Sequence, residues 1–437
     1  MAHSFFGGIH PRGYKELTCE SAITPINPKV VSIAMSQHIG APCKPLVQVG
    51  ERVLLGQKIG DNSGLCVPVH ASVSGTVISI EQRPYPSGAT MLSVVIESDG
   101  RNTLHPSVKK RDNVDELSAE ELMQIIREAG ITGMGGAGFP TSVKLSSGLG
   151  KVDTVIVNGA ECEPYITSDD RLMREVPEKI IAGLAIIKKI LNPERTAIGV
   201  ESNKPEAIAS MKAALHGEAE LLTLKVRYPQ GAEKQLIQAV TGRCVPPGGL
   251  PAAVGCAVFN VATCKAIYDA VYDGMPLVRR AITVTGKAIK EPKNLSAPIG
   301  TFFVDLVEAA GGFASQPYKI FVGGPMMGIA QHTLAASTIK GNNALTCYSM
   351  ADKREVSDPH CIRCGKCVDV CPMHLMPIFL HKAQQKGDLE KLDQGNVMDC
   401  IECGSCAYGC PAGIELVQCF RTAKKMLRDA QAKEGKK

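Results

Sequence analysis

Tryptophan is absent from this chain of 437 residues, and aromatic residues make up only 4% of it. Proteins that bind single-stranded nucleic acid stack the bases on aromatic side chains, and this composition leaves little with which to build such a platform. The formal net charge of +5 does not by itself argue for a nucleic-acid partner either. We therefore expect no binding of nucleic acid.

Long uninterrupted apolar runs are missing as well. A membrane-spanning helix needs about 18 or more consecutive apolar residues, and the nearest candidate is the uncharged stretch 244–264, where Pro246, Pro247 and Pro251 would break a helix. The first residues lack the basic start and apolar run of a secretory signal. We expect a cytoplasmic chain whose contact with a membrane is peripheral and made through partner subunits.

The remaining composition is that of a folded protein with several domains. Hydrophobic residues make up 44% of the chain and charged residues 21%, which is typical of globular rather than disordered proteins. A chain of 437 residues is too long for one hydrophobic core. Its length predicts roughly two to four domains.

Cysteine is the residue in excess. The chain has 17 cysteines, and without a secretory signal an odd, large number indicates metal ligands before disulfides. Two runs near the C-terminus share the spacing C-x2-C-x2-C-x3-C-P, which is that of bacterial ferredoxins. The sequence therefore predicts two [4Fe–4S] clusters. The two runs are Cys361, Cys364, Cys367 and Cys371, then Cys400, Cys403, Cys406 and Cys410.

The fourth cysteine of each run is expected to cross over to the other cluster, as it does in two-cluster ferredoxins. Paired C-x-x-C motifs also hold zinc in zinc ribbons, but the third cysteine and the Cys-Pro of each run favour iron–sulfur clusters. One predicted ligand set is Cys361, Cys364, Cys367 and Cys410. The other is Cys400, Cys403, Cys406 and Cys371.

Helices are expected around these runs. Pro377 suits a first helical position and Gly387 a C-terminal stop, so residues 376–386 are predicted to form a helix. A short helix is expected after Gly387, and residues 415–432 have the pattern of a longer one that ends in Lys and Arg. Cys419 in that last helix is expected to be a buried apolar residue, because the two runs already supply all the ligands.

The N-terminal part of the chain has the pattern of a small β-sandwich. Between residues 46 and 77, short apolar stretches alternate with glycine turns. The pattern resembles the barrel-sandwich hybrid of biotinyl and lipoyl domains, but no lysine occupies the expected hairpin tip at residues 70–75, where those domains carry their prosthetic group. We interpret this part as structural, and His70 as a polar residue of the fold rather than a ligand.

A glycine cluster at residues 133–138 follows a predicted helix that begins with a capping box of Ser118 and Glu121. The cluster contains G-x-G-x-x-G, but a dinucleotide-binding fingerprint follows a strand rather than a helix. Its exposed backbone N–H groups beside Lys144 would suit a phosphate. A purely structural glycine-rich turn is the alternative.

Strands and helices then alternate, which predicts a parallel α/β layer. Such sheets bind ligands at the carboxyl ends of their strands, and Asn158, Glu161 and Glu163 lie at the end of the first strand. The alternative for these three is a polar turn on the surface. The predicted elements are strand 154–158, helix 174–191, strand 197–200, helix 205–215, strand 222–226 and helix 233–240.

Residues 133–144 and 158–164 resemble two flavin-binding signatures of the NADH-oxidising, FMN-carrying subunit of respiratory complex I, and residues 258–263 are similar to its third. With the N-terminal sandwich and the double ferredoxin run added, the order of parts resembles the RnfC family of the Rnf complexes, the ion-translocating ferredoxin:NAD oxidoreductases. The likeness covers essentially the whole chain.

The resemblance implies a multidomain α/β and α+β fold with four parts. Two are a barrel-sandwich hybrid region over residues 1–112 and an FMN- and NADH-binding α/β domain over 113–275. The others are a soluble-ligand-binding β-grasp domain over 276–345 and a double [4Fe–4S] ferredoxin domain over 346–437. It also implies a place on the cytoplasmic face of the cell membrane, beside the other subunits of a membrane-bound redox complex, with NAD(H) as substrate and ferredoxin as a further partner.

The resemblance also implies the site residues. The FMN phosphate would lie on the glycine loop formed by Gly133, Gly135, Gly136 and Gly138, next to Lys144. The flavin would be lined by Asn158, Glu161, Glu163, Asn260 and Thr263. Glu233 would lie near the nicotinamide nucleotide. No side chain is assigned as an acid, base or nucleophile, since the cofactors carry the chemistry.

Three alternatives stand beside this interpretation. A flavin and ferredoxin cobalamin reductase resembles the same modules but carries its sandwich-like part towards the other end. A non-enzymatic relay or docking subunit would keep the fold with a vestigial flavin site. Complex I itself is the third, and the double ferredoxin run argues against it.

Overall fold

The computed structural model describes residues 4–136, 138–353 and 359–434. Four bodies follow one another along the chain, each with its own hydrophobic core: a β-barrel, an α/β domain, a second β-rich domain and a helical C-terminal domain. The predicted fold class, multidomain α/β and α+β, is confirmed.

The barrel is made of two antiparallel sheets, ordered β2-β8-β7-β4 and β3-β5-β6. Its core is aliphatic and includes Val31, Ile59 and Ile96. His70 is buried in the barrel, and burial lowers its pKa to about 3, so the imidazole is neutral. The strands of the N-terminal part are Thr24–Pro25 (β1), Val30–Ala34 (β2), Lys44–Pro45 (β3), Arg52–Val53 (β4), Lys58–Asp61 (β5), Val69–His70 (β6), Gly75–Pro84 (β7) and Thr90–Ser98 (β8).

The α/β domain has a parallel sheet ordered β11-β10-β9-β12, so the predicted parallel layer is confirmed. Its strands are Thr154–Gly159 (β9), Arg195–Glu201 (β10), Glu220–Leu224 (β11) and Cys256–Asn260 (β12). Its helices are Ala119–Glu128 (α1), Thr141–Gly148 (α2), Ser168–Glu175 (α3), Pro177–Leu191 (α4), Pro205–Ala214 (α5), Glu233–Thr241 (α6) and Val261–Val271 (α7). The capping box of Ser118 and Glu121 at the start of α1 is also confirmed.

Two expectations for this domain are wrong. The predicted helix 174–191 is two helices, α3 and α4, because Pro177 cannot lie inside a helix and the preceding Val176 has a non-helical backbone with φ −141° and ψ 46°. The last predicted strand, 222–226, lies two residues earlier in the structure, as β11 at Glu220–Leu224. This edge strand is half exposed, so its apolar pattern is too weak to fix its bounds, and its register is set by pairing with β10.

Helices α4 and α7 pack closely against each other on the sheet. The closest point is Gly183 of α4, where an added Cβ would overlap the backbone carbonyl of Cys264 in α7. Only glycine allows the two backbones to approach in this way. Gly183 therefore fixes the position of α7, which begins at the carboxyl end of β12.

The third body is a β-rich domain with a six-stranded sheet ordered β1-β14-β13-β17-β15-β16. Its first strand, β1, comes from the N-terminus of the chain and pairs with β14 rather than with the barrel. The N-terminal segment therefore completes a sheet that lies far along the sequence. The other elements are Arg279–Thr285 (β13), Lys293–Pro298 (β14), Phe303–Ala309 (α8), Lys319–Val322 (β15), Ile329–Ala330 (β16) and Ala344–Tyr348 (β17).

The C-terminal domain is helical, with helices Lys366–Asp369 (α9), Pro377–Lys386 (α10), Leu389–Gln394 (α11), Ser405–Gly409 (α12) and Leu416–Glu434 (α13). Its predicted helices are confirmed as α10, α11 and α13. Cys419 is half-buried rather than buried. Within the described ranges, no helix combines the length and apolar character required to cross a membrane.

Replacing Gly183 with alanine should destabilise the α/β domain. The added methyl group overpacks the contact between α4 and α7, which costs about 1–3 kcal/mol in the free energy of unfolding. Denaturant and thermal unfolding followed by circular dichroism measure the effect. Gly341→Ala is the matched control, since an added Cβ there has no described atom within 4 Å and the backbone is not left-handed. Equal stability of the two variants would contradict the close-packing argument.

Candidate functional site

The glycine loop at residues 133–138 lies between α1 and α2, so a helix precedes it as the sequence indicates. Two hydrogen bonds donated by backbone N–H groups fix it. The Gly133 N–H donates to the Phe139 carbonyl at 2.7 Å, and the Met134 N–H donates to Thr263 Oγ1 at 3.0 Å. Gly135 and Gly136 are exposed. Gly135 has φ +74°, and a Cβ there would stand 2.9 Å from Asn260 Nδ2. At Gly135 and Gly136 the loop therefore exposes backbone without side chains above the edge of the sheet.

Asn158 and Asn260 lie opposite each other at the carboxyl ends of the adjacent strands β9 and β12. Asn158 accepts from the Ala160 N–H at 3.1 Å and donates to the Gly231 carbonyl at 2.8 Å. Asn260 caps α7 by accepting from the Ala262 N–H at 2.8 Å. Both amides are half-buried, so each is held by the fold and still reaches the edge of the sheet.

Lys144 and Glu233, expected to serve two different ligands, form an ion pair. Lys144 Nζ lies 2.8 Å from Glu233 Oε1 and 2.6 Å from the Val258 carbonyl. Glu233 is the first residue of α6 and is exposed. The structure therefore brings the proposed phosphate and nicotinamide residues to one place beside the sheet edge.

Three residues that we expect to line the flavin accept hydrogen bonds from backbone N–H groups. Thr263 is buried beneath the glycine loop, where it accepts from the Met134 N–H. Glu161 accepts from the Asp169 N–H at 2.6 Å and the Asp170 N–H at 3.3 Å, at the start of α3. Glu163 accepts from two consecutive N–H groups, at 2.6 and 3.1 Å, in the turn 326–327 of the third domain. These contacts give all three a supporting position.

Sequence reasoning missed a cation beside the loop after β9, Lys15, whose side chain is only 16% exposed. Lys15 Nζ donates to the carbonyls of Glu161, Glu163 and Ile166 at 2.8, 3.2 and 2.6 Å. Burial lowers the pKa of Lys15, and burial raises the pKa of Glu161 to about 8 even though Lys15 opposes that shift. No local signal in the sequence connects Lys15 with a loop 146 residues away.

A second buried pair lies beside it, after the neighbouring strand β10. Lys204 Nζ donates to the Ala160 carbonyl at 2.6 Å and lies 3.4 Å from Glu201 Oε2. Both side chains are almost fully buried. Because they follow a parallel strand next to β9, the strand-end rule that selected Asn158 would also have found them.

The eight motif cysteines line two separate cavities. Each cavity takes three cysteines from one run and the fourth from the other, which is the grouping that ferredoxin spacing predicts. The first cavity is lined by Cys371, Cys400, Cys403 and Cys406. The second is lined by Cys361, Cys364, Cys367 and Cys410.

Both cysteine loops have the same backbone conformation. Arg363 and Glu402, at matching positions between the first two cysteines of each run, have φ +57° and +56°. Gly365 and Gly404, at the next matching position, have φ +78° and +79°. The two copies of the motif therefore fold into loops of the same shape, and the first three thiols of each run face one cavity.

The two cavities differ in their surroundings. The cavity around Cys403 lies against the α/β domain, because the Tyr228 hydroxyl donates to the Cys403 carbonyl at 2.7 Å and Gln235 donates to the Pro372 carbonyl at 3.1 Å. The other cavity opens at the surface, where Cys361 and Cys364 are exposed. One cavity therefore faces the glycine-loop domain and the other faces outward.

The chemistry of both regions fits the groups that the sequence suggests. Thiols that converge on a cavity in sets of four are the ligands of a [4Fe–4S] cluster. The exposed backbone at Gly135 and Gly136, with a cation at Lys144, suits a phosphate. Thr132 Oγ1 and Thr141 Oγ1, on either side of the loop, are buried and have no hydrogen-bond partner among the described residues.

Family models match four consecutive parts of the chain. They are the RnfC barrel sandwich hybrid domain at residues 3–101, the Nuo51 FMN-binding domain at 126–269, the SLBB domain at 281–330 and the 4Fe-4S dicluster domain at 360–414. FMN and [4Fe–4S] clusters are thus the cofactors of this fold, and NAD(H) fits as the substrate of the Nuo51-type domain. The expected cofactors are confirmed.

Two curated relatives match over nearly their full length. The C subunit of the Na⁺-translocating ferredoxin:NAD⁺ oxidoreductase complex of Acetobacterium woodii is 46% identical, over 99% of this chain and 98% of its own. The chain belongs to the RnfC family. The C subunit of the proton-translocating ferredoxin:NAD⁺ oxidoreductase complex of Clostridium ljungdahlii is 47% identical, over 100% of this chain and 97% of its own.

A solved structure supports the fold of this RnfC-family chain. A chain in the crystal structure of an NAD⁺-reducing [NiFe]-hydrogenase in the air-oxidised state matches with a TM-score of 0.52 and 19% identity. The match covers 71% of this chain and 63% of the hydrogenase chain. At this identity it shows a common fold, and no site residue is carried over from it.

Alanine at one cysteine of either cavity should remove one cluster and leave the other. We expect iron to fall from about eight to about four per chain in both Cys371→Ala and Cys410→Ala. The EPR spectrum of Cys371→Ala should match that of Cys403→Ala, because those residues line one cavity. Cys419→Ala is the control and should keep full iron. A Cys371→Ala spectrum that instead matched Cys367→Ala would contradict the grouping.

Proposed function

We propose that this chain is the peripheral electron-transfer subunit of an ion-translocating ferredoxin:NAD oxidoreductase, placed on the cytoplasmic face of the membrane. The observation that carries the proposal is the junction of the two cofactor regions: a cysteine-lined cavity directly contacts the domain that holds the glycine loop, through Tyr228 and Cys403. The full-length likeness to subunits named for this activity supports it.

We infer the site residues from the sequence pattern and the geometry together. We assign the FMN phosphate to the loop of Gly133, Gly135, Gly136 and Gly138, at its exposed residues Gly135 and Gly136, with Lys144 as its cation. Asn158 and Asn260 would hold the polar edge of the flavin, since both stand at the sheet edge below that loop. Glu161, Glu163 and Thr263 would position these elements from beneath. Glu233 remains our assignment for the nicotinamide side, and NAD(H) binding would displace or share its ion pair with Lys144.

The eight cysteines are assigned to two clusters by the cavities that they line. We place one [4Fe–4S] cluster on Cys371, Cys400, Cys403 and Cys406. The other lies on Cys361, Cys364, Cys367 and Cys410. A flavin exchanges hydride with nicotinamide and single electrons with iron–sulfur clusters, so it supplies the conversion that this arrangement of sites requires.

Side chains in one apolar cluster join the two regions. Cys162 follows the sheet edge, and its sulfur accepts from the Gly231 N–H at 3.3 Å. Tyr228 packs in the same apolar cluster as Cys162 and Cys403. Burial raises the pKa of Tyr228 well above its usual value, so its hydroxyl stays protonated and remains a donor to the Cys403 carbonyl. Tyr228 is therefore a positioning residue that holds the inner cluster loop against the flavin domain.

The outer cluster cavity has the surface expected of a site that exchanges electrons with a partner protein. Ile362 is 68% exposed and Phe379 59% exposed at its rim, beside the exposed Cys361 and Cys364. Exposed apolar residues grouped in this way are typical of a protein contact. We propose that the next electron carrier of the complex, or ferredoxin, docks here.

Anaerobic titration with NADH tests the proposed function. We expect bleaching of the flavin absorption followed by EPR signals of reduced clusters, in protein that carries FMN and about eight irons. Both cofactors must be quantified on the same sample. Protein with bound FMN and full iron that shows no response to NADH would contradict the proposal and favour a relay subunit or a cobalamin reductase.

Tyr228→Phe should slow electron transfer to the inner cluster without slowing reduction of the flavin by NADH. The variant keeps the ring but loses a hydrogen bond worth about 1 kcal/mol, which predicts a loss of roughly five-fold in rate. Stopped-flow absorption and freeze-quench EPR separate the two steps. Tyr408→Phe, on an exposed residue of the same domain as the cluster loops, is the control. Equal slowing of both steps would indicate a general structural defect and refute the positioning role.

A further inference from the structure

A third cluster of thiols lies outside the ferredoxin motifs, in the barrel. His38, Cys43 and Cys66 bring one nitrogen and two sulfur atoms within 4.8 Å of one another. The two cysteines are buried and His38 is half-buried. The nearest contacts are 3.5 Å between Cys43 Sγ and Cys66 Sγ, and 3.5 Å between Cys66 Sγ and His38 Nε2. None of these residues has a role in the proposed electron path.

The spacing of these atoms is that of ligands around one metal ion. Tetrahedral zinc with Zn–S bonds of about 2.3 Å and Zn–N bonds of about 2.05 Å separates its ligand atoms by about 3.5–3.8 Å. The Cys43–Cys66 and Cys66–His38 contacts, both 3.5 Å, lie at the lower end of that range, and the third pair, Cys43 and His38, lies within 4.8 Å. The sulfur atoms are too far apart for a disulfide, whose S–S bond is about 2.05 Å.

His38 is oriented as a metal-ligating histidine. Its Nδ1 lies 3.2 Å from the Ile39 carbonyl, and a proton on Nδ1 would make that bond and leave the Nε2 lone pair facing the sulfurs. Ligating histidines commonly donate their second ring nitrogen in this way, which fixes the tautomer. Half exposure of His38 also leaves a path for an ion and for a water ligand.

In the structure the same three ligand atoms contact the backbone N–H and carbonyl of Val67. Its N–H donates to His38 Nε2 at 3.3 Å, and its carbonyl lies 3.4 Å from Cys43 Sγ and 3.7 Å from Cys66 Sγ. A thiol is a weak hydrogen-bond donor. A divalent ion that displaces the two thiol protons to solvent would replace these contacts with metal–ligand bonds.

We propose that His38, Cys43 and Cys66 form a binding site for a thiophilic divalent ion, Zn²⁺, with water as the fourth ligand. Three protein ligands of the N/S type with one open position are an established zinc arrangement. Because the site lies apart from the residues of the proposed electron path, we assign the ion no part in electron transfer.

The site is joined to the glycine loop through the backbone next to His38. The Ile39 N–H donates to the Gly138 carbonyl at 3.1 Å, while the Ile39 carbonyl faces His38. Lys340, buried beside the site, donates to the Pro68 carbonyl of the barrel and to the Gly130 carbonyl before the loop, at 2.6 and 2.7 Å. A metal ion here would thus hold the barrel against the loop that we assign to the FMN phosphate.

Metal analysis of anaerobically purified protein with a full iron content tests the site. We expect about one zinc per chain, with two sulfur ligands and one nitrogen ligand in zinc-edge X-ray absorption. The zinc should be lost in Cys43→Ala, Cys66→Ala and His38→Ala and retained in Cys347→Ala, a buried cysteine of β17. Because iron is counted on the same samples, zinc in an empty cluster site would show as missing iron.

Three outcomes would overturn the metal site. They are protein with full iron that neither contains zinc nor takes it up when Zn²⁺ is added, zinc that persists unchanged in Cys43→Ala, and a Cys43–Cys66 disulfide found by mass spectrometry. X-ray absorption of the unaltered protein decides the matter if a variant fails to fold. The role in holding the loop rests on the proposed function, and loss of zinc with unchanged retention of FMN would refute that role alone.

Discussion

The loop after β9 is held by buried charge, and both the flavin edge and the domain contacts depend on it. A buried ammonium group must find partners inside the protein, and Lys15 finds them in the carbonyls of Glu161, Glu163 and Ile166. This fixes a loop in which Glu161 adopts φ +45°. Glu163 can then bind the turn 326–327 of the third domain. One cation from the N-terminal segment thus organises the α/β domain and its neighbour together.

The N-terminal segment connects the other domains more than it belongs to the barrel. Its Gly8 N–H donates to the Val370 carbonyl of the C-terminal domain, Ile9 pairs with Tyr228, and β1 completes the sheet of the third domain. Asn294 in that sheet is fully buried and donates to the carbonyls of Thr18 and Ser21. Because a buried amide must be satisfied, these contacts favour one arrangement of the α/β, third and C-terminal domains.

This docking makes the two cluster cavities inequivalent. The cysteine runs are nearly identical in spacing and in backbone conformation, so nothing local distinguishes them. The difference comes from what surrounds each cavity: Tyr228 and Gln235 cover the inner one, whereas the outer one is rimmed by exposed Ile362 and Phe379. The two copies of the motif therefore differ only through their position in the folded protein: one site faces the flavin domain and the other faces a proposed partner.

The spacing of the cysteine runs, the capping box of α1 and the glycine loop could be predicted from the sequence, because each depends on residues close together in the chain. The parallel sheet could be predicted from the alternation of strands and helices, but its strand order and register could not. Only the tertiary structure decided that Glu161, Glu163 and Thr263 support the loops, that Lys144 pairs with Glu233, and that His38 meets Cys43 and Cys66. These outcomes depend on packing between segments that are far apart in the sequence, such as Lys15 and the loop after β9. A pattern along the chain does not show which distant segments come into contact.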